Sequence, residues 1–394
     1  MLLTALVFLI ILSVLVLIHE LGHFLVAKKL NIKVEEFGFG FPPRLFGIKR
    51  GETIYSINWL PIGGFVKLYG EDDAGGGTVK LKIKNEKLKM KELHRAFFVR
   101  SVGQRAAVVV AGVVMNTFLA IIIFYVFLFV SGFKTELPLL TDHKFIGVTR
   151  SNKTDIIVTS VQKDSPAQKA GIPIYGKIIS INDQAIGSSE NFITTVKKYQ
   201  GKTIKIAWLD PKTQKKVVAQ LVPRLNPPKG QGAVGVSLYG IKTAILDYQT
   251  TGQRFFSGIS HPFNLIVYNV ELMKNLVASA VREKDASQLG EGFAGPVGIY
   301  SLVGTIVQIP DLKERVLQLL NLAGLLSMSL AVFNILPIPA LDGGRLFFIL
   351  IEGIFRKKVS VRFETLAHTI GMIVLLGLIV VITFNDIFRF ILNR

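Results

Sequence analysis

His19, Glu20 and His23 stand in the run LVLIHELGHFLVAKK (15–29), which is otherwise apolar up to its terminal lysines. Residues i and i+4 share one face of a helix. Both imidazoles can therefore address one metal ion, while the glutamate between them reaches water at that ion. The competing account is a histidine pair satisfied by neighbouring carbonyls, and it leaves Glu20 buried with no stated partner. An ionised side chain at the centre of a bilayer costs about 3 kcal/mol on insertion scales, so such groups face a protein interior or a functional cavity.

A catalytic zinc takes three protein ligands and keeps one position open. His94, His143 and His261 lie outside the apolar runs, and His368 reads as an interfacial residue. The better third ligand is Asp342, in NILPIPALDGGRL (334–346). The alternative for Asp342 is an ion pair with Arg345 at i+3. Pro337 and Pro339 break a helical ladder and free carbonyls, which is tolerated where backbone lines a cavity. Gly343 and Gly344 permit close approach of another backbone. Asn334 is a candidate contact for substrate or transition state, and could equally be helix–helix glue. Zinc is the expected metal, although two histidines and one carboxylate also suit iron. With such a metal, Glu20 is the expected general base for attack of water on a carbonyl.

Apolar residues gather near 1–27, 106–130, 315–336 and 366–384, in a chain of 394 residues that is half hydrophobic. Each run is long enough, or nearly so, to cross a bilayer, which makes this a multi-pass, α-helical membrane protein with about four spans. The first run lacks a basic n-region and a small-x-small cleavage site, against a signal peptide. The net charge of +19 fits flanks that meet anionic headgroups. No recognition-helix, zinc-finger or RNP-like pattern supports a nucleic-acid partner. There is no cysteine, which removes disulfides and thiolate ligands. Lys28, Lys29, Arg95, Arg100, Arg105, Arg356, Lys357, Lys358 and Arg362 flank the spans so that four crossings with both termini outside satisfy the positive-inside rule. His19, His23 and Asp342 then all fall toward the inner half of the membrane.

The expected organisation is a transmembrane part at 1–132, an outer α+β domain at 133–226, a linker and amphipathic segment at 227–312, and a second transmembrane part at 313–394. The amphipathic stretch 253–281 suits a helix on the membrane surface or one packed on its own neighbours. The basic run KLKIKNEKLKMKELHR (80–95) reads as a solvated face near the membrane. Between the first two runs, TIYSINWLPIGGFVKLYGE (53–71) reads as a β-hairpin turning at Pro61, Gly63 and Gly64. It is either re-entrant, buried against protein, or an ordinary cytoplasmic hairpin. A helical substrate hides its carbonyls, so an extended strand must be presented, and this hairpin can hold one by β-augmentation. Gly63, Gly64, Phe65 and Val66 are the candidate substrate-binding residues there.

HELGH, PIGGFVKLYGE, AGVVMN (111–116), GPVGI (295–299) and NILPIPALDGG follow in an order that resembles the site-2 protease family of intramembrane zinc metalloproteases across nearly the whole chain. SPAQKAG resembles the PDZ domain of the bacterial branch typified by the regulator-of-sigma-E protease. The resemblance implies His19, His23 and Asp342 as zinc ligands, Glu20 as base and Asn334 as substrate contact. It implies a bacterial inner-membrane enzyme with an extracytoplasmic PDZ-like domain. Its substrates would be single-pass membrane proteins such as anti-sigma factors, already trimmed by a site-1-type protease. The implied fold is a multi-pass helical protein with a re-entrant β-hairpin and an inserted α+β PDZ-like domain. Three positions depart from the pattern: there is one PDZ-like domain where the typical branch member has two, Lys177 replaces an acidic residue, and Val113 replaces the proline of AGP. The competing readings are a non-catalytic PDZ-bearing scaffold with a structural metal, for which a fourth ligand is missing, and a transporter, for which a half-chain repeat is missing.

Overall fold

The computed structural model describes residues 1–71, 93–211, 213, 215–283, 294–357 and 359–392. The basic run at 80–95 lies outside the described residues except for its last three. Helix α1 (Leu2–Lys29) is apolar around its surface apart from His19, Glu20, His23 and two hydroxyl side chains, and in its final turn Lys28 and Lys29 meet the negative end of the helix dipole. Strands β1 (Val34–Arg50) and β2 (Thr53–Leu68) follow. Helix α2 (Val102–Val130) opens on a capping box formed by Ser101 and Gln104.

The hairpin differs from the sequence expectation. The turn falls at Gly51 and Glu52, with Gly51 in the left-handed region that favours glycine (φ 64°). The two halves of β2 do not pair with each other. Both pair with the first half of β1: Phe37 lies opposite Tyr55 on one side and Val66 on the other, and Gly38 lies opposite Ser56 and Phe65. The second half of β1 then pairs with the first half of β2, from Arg44–Asn58 to Arg50–Thr53. The two strands thus make a sheet four segments wide, in the order 44–50, 53–58, 34–41, 64–68. Pro42 and Pro43 lack N–H donors and interrupt β1 where its two halves part. Among the described residues no strand pairs with the outer edge of 64–68.

Gly132–Phe255 form a compact unit of their own. Its elements are β3 (Lys134–Pro138), β4 (Thr149–Val161), α3 (Pro166–Lys169), β5 (Lys177–Ile181), β6 (Gln184–Ala185), α4 (Ser189–Lys198), β7 (Ile204–Leu209), β8 (Lys216–Leu221) and β9 (Val236–Asp247). The sheet order is β3-β9-β4-β5-β7-β8, with β6 on β5. Strand β9, in the stretch read from the sequence as a linker, runs antiparallel between β3 and β4. Ile156, Val158, Ile178, Ile206, Trp208 and Phe192 centre its core. Lys177, which breaks the sequence pattern of this domain, is paired with Asp155 at 2.7 Å.

The chain continues in α5 (Thr251–Glu283), α6 (Pro296–Val307), α7 (Leu312–Ile335), α8 (Asp342–Phe355) and α9 (Val361–Leu392). The amphipathic stretch is helical as α5. It packs on its neighbours through Gly258, which abuts the Ile121 carbonyl, and through His261, whose ring meets Phe124 and Phe127. Asp311 caps α7 by accepting from the Glu314 N–H at 2.7 Å. Four helices, α1, α2, α7 and α9, are long and apolar enough to cross a membrane. Gly22 lets α1 approach α2, since a Cβ there would lie 2.7 Å from the Ala111 carbonyl carbon.

Glu52 ties the hairpin turn to the end of α1 and to the segment that precedes α2. Arg95 donates to its two oxygens at 2.7 and 2.8 Å, and Lys28 donates at 2.8 Å. The Arg95 hydrogen bonds, with those of Lys28, hold the carboxyl at about 2 against some opposition from burial. A depressed carboxylate contributes stability above its unfolded value near 4.5 and loses it as pH falls toward the folded value. Thermal unfolding of the purified protein should therefore lose stability between pH 4.5 and 2, and Glu52→Gln should remove about 1 kcal/mol of that dependence, the group being partly exposed. An unchanged pH profile in the variant would show that the triad carries no stability.

Candidate metal centre

His19 and His23 lie one turn apart on the buried side of α1, with ring planes 81° apart. Asp342 is the first residue of α8. Its Oδ2 lies 2.9 Å from His19 Nε2 and 3.2 Å from His23 Nε2, and the two Nε2 atoms are 3.2 Å apart. Ligand atoms on two corners of a tetrahedral zinc site are separated by roughly 3.3 Å, from metal–nitrogen bonds of about 2.05 Å. The triangle thus has the size of one face of such a site. It also has the right donor set: two imidazole nitrogens and a carboxylate oxygen converge, and in the tautomer that leaves both Nε2 atoms unprotonated their lone pairs repel unless a cation lies among them.

The depth agreement between the two motifs has a local cause. Leu336 is extended (φ −65°, ψ 143°) because a residue before proline is pushed out of the helical region, and α7 ends at Ile335. The chain then turns through 336–341 and starts α8 with Asp342 facing α1. Gly343 and Gly344 allow the turn: a Cβ on Gly343 would lie 2.5 Å from the Ile335 carbonyl, and one on Gly344 would lie 2.9 Å from the Ile338 carbonyl carbon. The backbone they admit is this chain's own loop. Arg345 pairs with Glu71, three residues past the end of β2. His368 is 2 % exposed and its Nδ1 accepts from the Ala340 N–H at 2.9 Å, bracing the broken segment against α9.

Helix α2 supplies the other wall. Val108, Gly112 and Asn116 follow at intervals of four and form a stripe against α1. The Val108 carbonyl is 2.8 Å from His23 Nδ1, and Asn116 Nδ2 is 3.4 Å from His19 Nδ1. At Gly112 a Cβ would lie 2.6 Å from His19 Cε1 and would strike His23 Nε2. Sequence reasoning missed the individual roles of Val108, Gly112 and Asn116. The available signal was the same four-residue period in AGVVMN that spaces the histidines.

Asn334, in the last turn of α7, reaches the site with Nδ2 3.4 Å from His19 Nε2. Of the four hairpin residues, Gly64 sits beside Glu20, where a Cβ would lie 3.3 Å from Glu20 Cγ. Gly63 packs under Phe41, with φ 100°. Phe65 and Val66 line a cavity of about 510 Å³ together with Phe41, Lys67, Glu71 and Arg345.

Gly112→Ala puts a methyl group where the imidazoles converge. The variant should bind zinc at least tenfold more weakly in a chelator competition while its metal-free unfolding temperature stays within a few degrees of the parent. Equal affinity would mean that the rings do not sit as described.

The match to known proteins is extensive. The model of peptidase family M50 matches residues 7–378. A Clostridium perfringens protein, whose name assigns it provisionally to the zinc metalloproteases, is 33% identical over 95% of this chain and 96% of its own. The zinc metalloprotease RasP of Bacillus licheniformis is 28% identical over 99% of this chain and all of its own. A solved PDZ domain of an SdrC-like protein from Listeria monocytogenes is 25% identical over 25% of this chain and 93% of its own, with a TM-score of 0.19, too low to bear on the fold. By its match from the first span to the last, this chain belongs to peptidase family M50.

Proposed function

We propose that the protein is a site-2-type intramembrane zinc metalloendopeptidase of the bacterial inner membrane, which hydrolyses peptide bonds within or next to the span of single-pass membrane proteins. The observation that carries this reading is the triangle of His19 Nε2, His23 Nε2 and Asp342 Oδ2, with edges of 2.9–3.2 Å, beside Glu20 in a helix apolar enough to span a bilayer. Zinc is the metal in the names of the family relatives, and this donor set fits it. When bound, zinc supplies Lewis acidity, acidifying water and polarising the scissile carbonyl.

The remaining work falls to side chains. Glu20 takes the proton from the attacking water and returns it to the leaving nitrogen. Asn334 donates from Nδ2 to the carbonyl oxygen as charge develops on it. The outer edge of 64–68, with Gly64 next to Glu20, is joined by no other strand among the described residues, and an extended substrate can add there as a strand. Exposed Phe46, Ile48, Ile57, Trp59 and Leu60 on the sheet suit a re-entrant position against lipid and protein. The unit at 132–255 is PDZ-like by sequence. With both termini outside it lies outside too, where it meets a substrate already shortened by a site-1-type protease, for example an anti-sigma factor.

Against a single-span substrate with short ends, Glu20→Gln should bind zinc like the parent and cleave 10²–10⁴-fold more slowly. Cleavage by the parent should stop on chelation and return with zinc. Failure of the parent to cut any of several such substrates, with zinc bound, would favour a non-catalytic role. A second measurement addresses the strand edge. Neighbouring N–H groups in a strand point to opposite sides, so of Phe65→Pro and Val66→Pro one removes an outward donor and spares the ladder. That variant should lose about tenfold in cleavage with unchanged zinc affinity; wild-type turnover in both would rule out strand addition at this edge.

A further inference from the structure

The two histidines differ in how their outer nitrogens are held. His23 Nδ1 lies 2.8 Å from the Val108 carbonyl, which can only accept. The proton is therefore on His23 Nδ1, and Nε2 presents its lone pair. For His19 the partner of Nδ1 among the described residues is the side chain of Asn116, with Nδ2 at 3.4 Å. Asn116 is 0 % exposed, and its Oδ1 is buried with no hydrogen-bond partner.

Those facts point to a half-turn of the amide. Oxygen and nitrogen of an asparagine have nearly the same shape, and their assignment follows from the hydrogen bonds they make. With Nδ2 facing His19, the ring nitrogen must accept. Its proton then sits on Nε2, between Asp342 and His23, where a metal would need the lone pair. With Oδ1 facing His19, Nδ1–H donates and Nε2 is free, while Nδ2 takes the place the buried oxygen held. The backbone at this position is fixed independently, since Ser327 of α7 donates to the Asn116 carbonyl at 2.8 Å.

We propose that Asn116 is a positioning residue for His19: its side-chain carbonyl accepts the Nδ1–H and so holds Nε2 unprotonated and aimed at the metal. The inference rests on the reading of His19, His23 and Asp342 as the metal ligands. An outer partner of this kind fixes ring tautomer and orientation, and its loss costs 10–100-fold in metal affinity. An amide does this without adding a second negative charge beside Asp342 at bilayer depth, where charge is costly.

The test is zinc affinity of the full chain in detergent, by competition with a chelating dye, for the parent, Asn116→Leu, Asn116→Asp and His19→Ala. Asn116→Leu keeps the volume and removes the acceptor; it should bind zinc 10–100-fold more weakly while its metal-free unfolding temperature stays near that of the parent. Should it not accumulate, Asn116→Ala carries the same expectation. Asn116→Asp restores an acceptor and should return affinity to within about threefold of the parent, a rescue that a packing role does not give. Parent-like zinc binding in Asn116→Leu, with zinc lost in His19→Ala, would overturn the role of Asn116 and leave the metal site standing. Weak binding in both Asn116→Leu and Asn116→Asp would reduce it to packing. Retained zinc in His19→Ala would bring down the metal-site reading itself, and this inference with it.

Discussion

The structure depends on the cost of placing two imidazoles and two carboxylates in the apolar interior of a helix bundle. Each of His19, His23, Glu20 and Asp342 is expensive there alone, and grouping them is what makes their burial tolerable. The 2.9–3.2 Å triangle of His19, His23 and Asp342 is that grouping. It constrains three helices at once. Helix α1 must present both rings to α2, α2 must have no side chain at position 112, and the chain after α7 must deliver a carboxylate to the same depth.

The third requirement is met by breaking a helix, and the break is repaired by polar and glycine contacts. A chain that leaves the helix at Leu336 and re-enters it at Asp342 exposes backbone groups that lipid cannot satisfy. The Ala340 N–H is taken by His368 of α9, and Ala340 itself sits at φ 78°, a strained position for a residue with a Cβ. Gly371 accepts the Pro339 backbone at 2.7 Å from where a Cβ would stand. Arg105 of α2 pairs with Glu352 of α8 at 2.8 Å, and Arg345 pairs with Glu71. The last span, which carries no ligand, thus holds the segment that does.

How much of this was legible in the sequence varied with the range of the interaction. The clustering of His19, His23 and Asp342 could be expected because HExxH has a fixed helical period and because a carboxylate between prolines and glycines in an apolar run has few structural uses. The spans followed from length and hydropathy. The hairpin was misplaced because local turn signals at Pro61, Gly63 and Gly64 are strong, whereas the pairing of Phe37 with both Tyr55 and Val66 is a long-range choice that no local signal carries. The contact made by His368 was hidden for a similar reason. Its surroundings in sequence suggest the membrane boundary, and its partner, the Ala340 N–H, is 28 residues away. Strand β9 was hidden by the Pro- and Gly-rich stretch before it, and its pairing with β3 and β4 spans about a hundred residues of chain.

Hydrolysis at this depth needs three things that a bilayer lacks: water, a base that stays charged, and a substrate with exposed carbonyls. On the proposed reading each is met by a polar element that the fold must shelter from lipid. The metal triangle and Glu20 answer for water and base. The strand edge answers for the substrate, because among the described residues no other strand joins the outer edge of 64–68, beside Glu20. An unpaired edge is a liability in most proteins, open to pairing with any extended chain. Here Gly64 keeps the edge within van der Waals reach of Glu20, and Gly38, across the ladder from Phe65, leaves the space that ring occupies. A side chain at position 64 would crowd Glu20 and Val16 of α1, and one at position 38 would strike the Phe65 ring. The glycines of PIGGF and EFGFGF therefore answer to the same demand as Gly112: backbone and side chains must come close enough that one peptide bond can be held against one base in a site with no room for lipid.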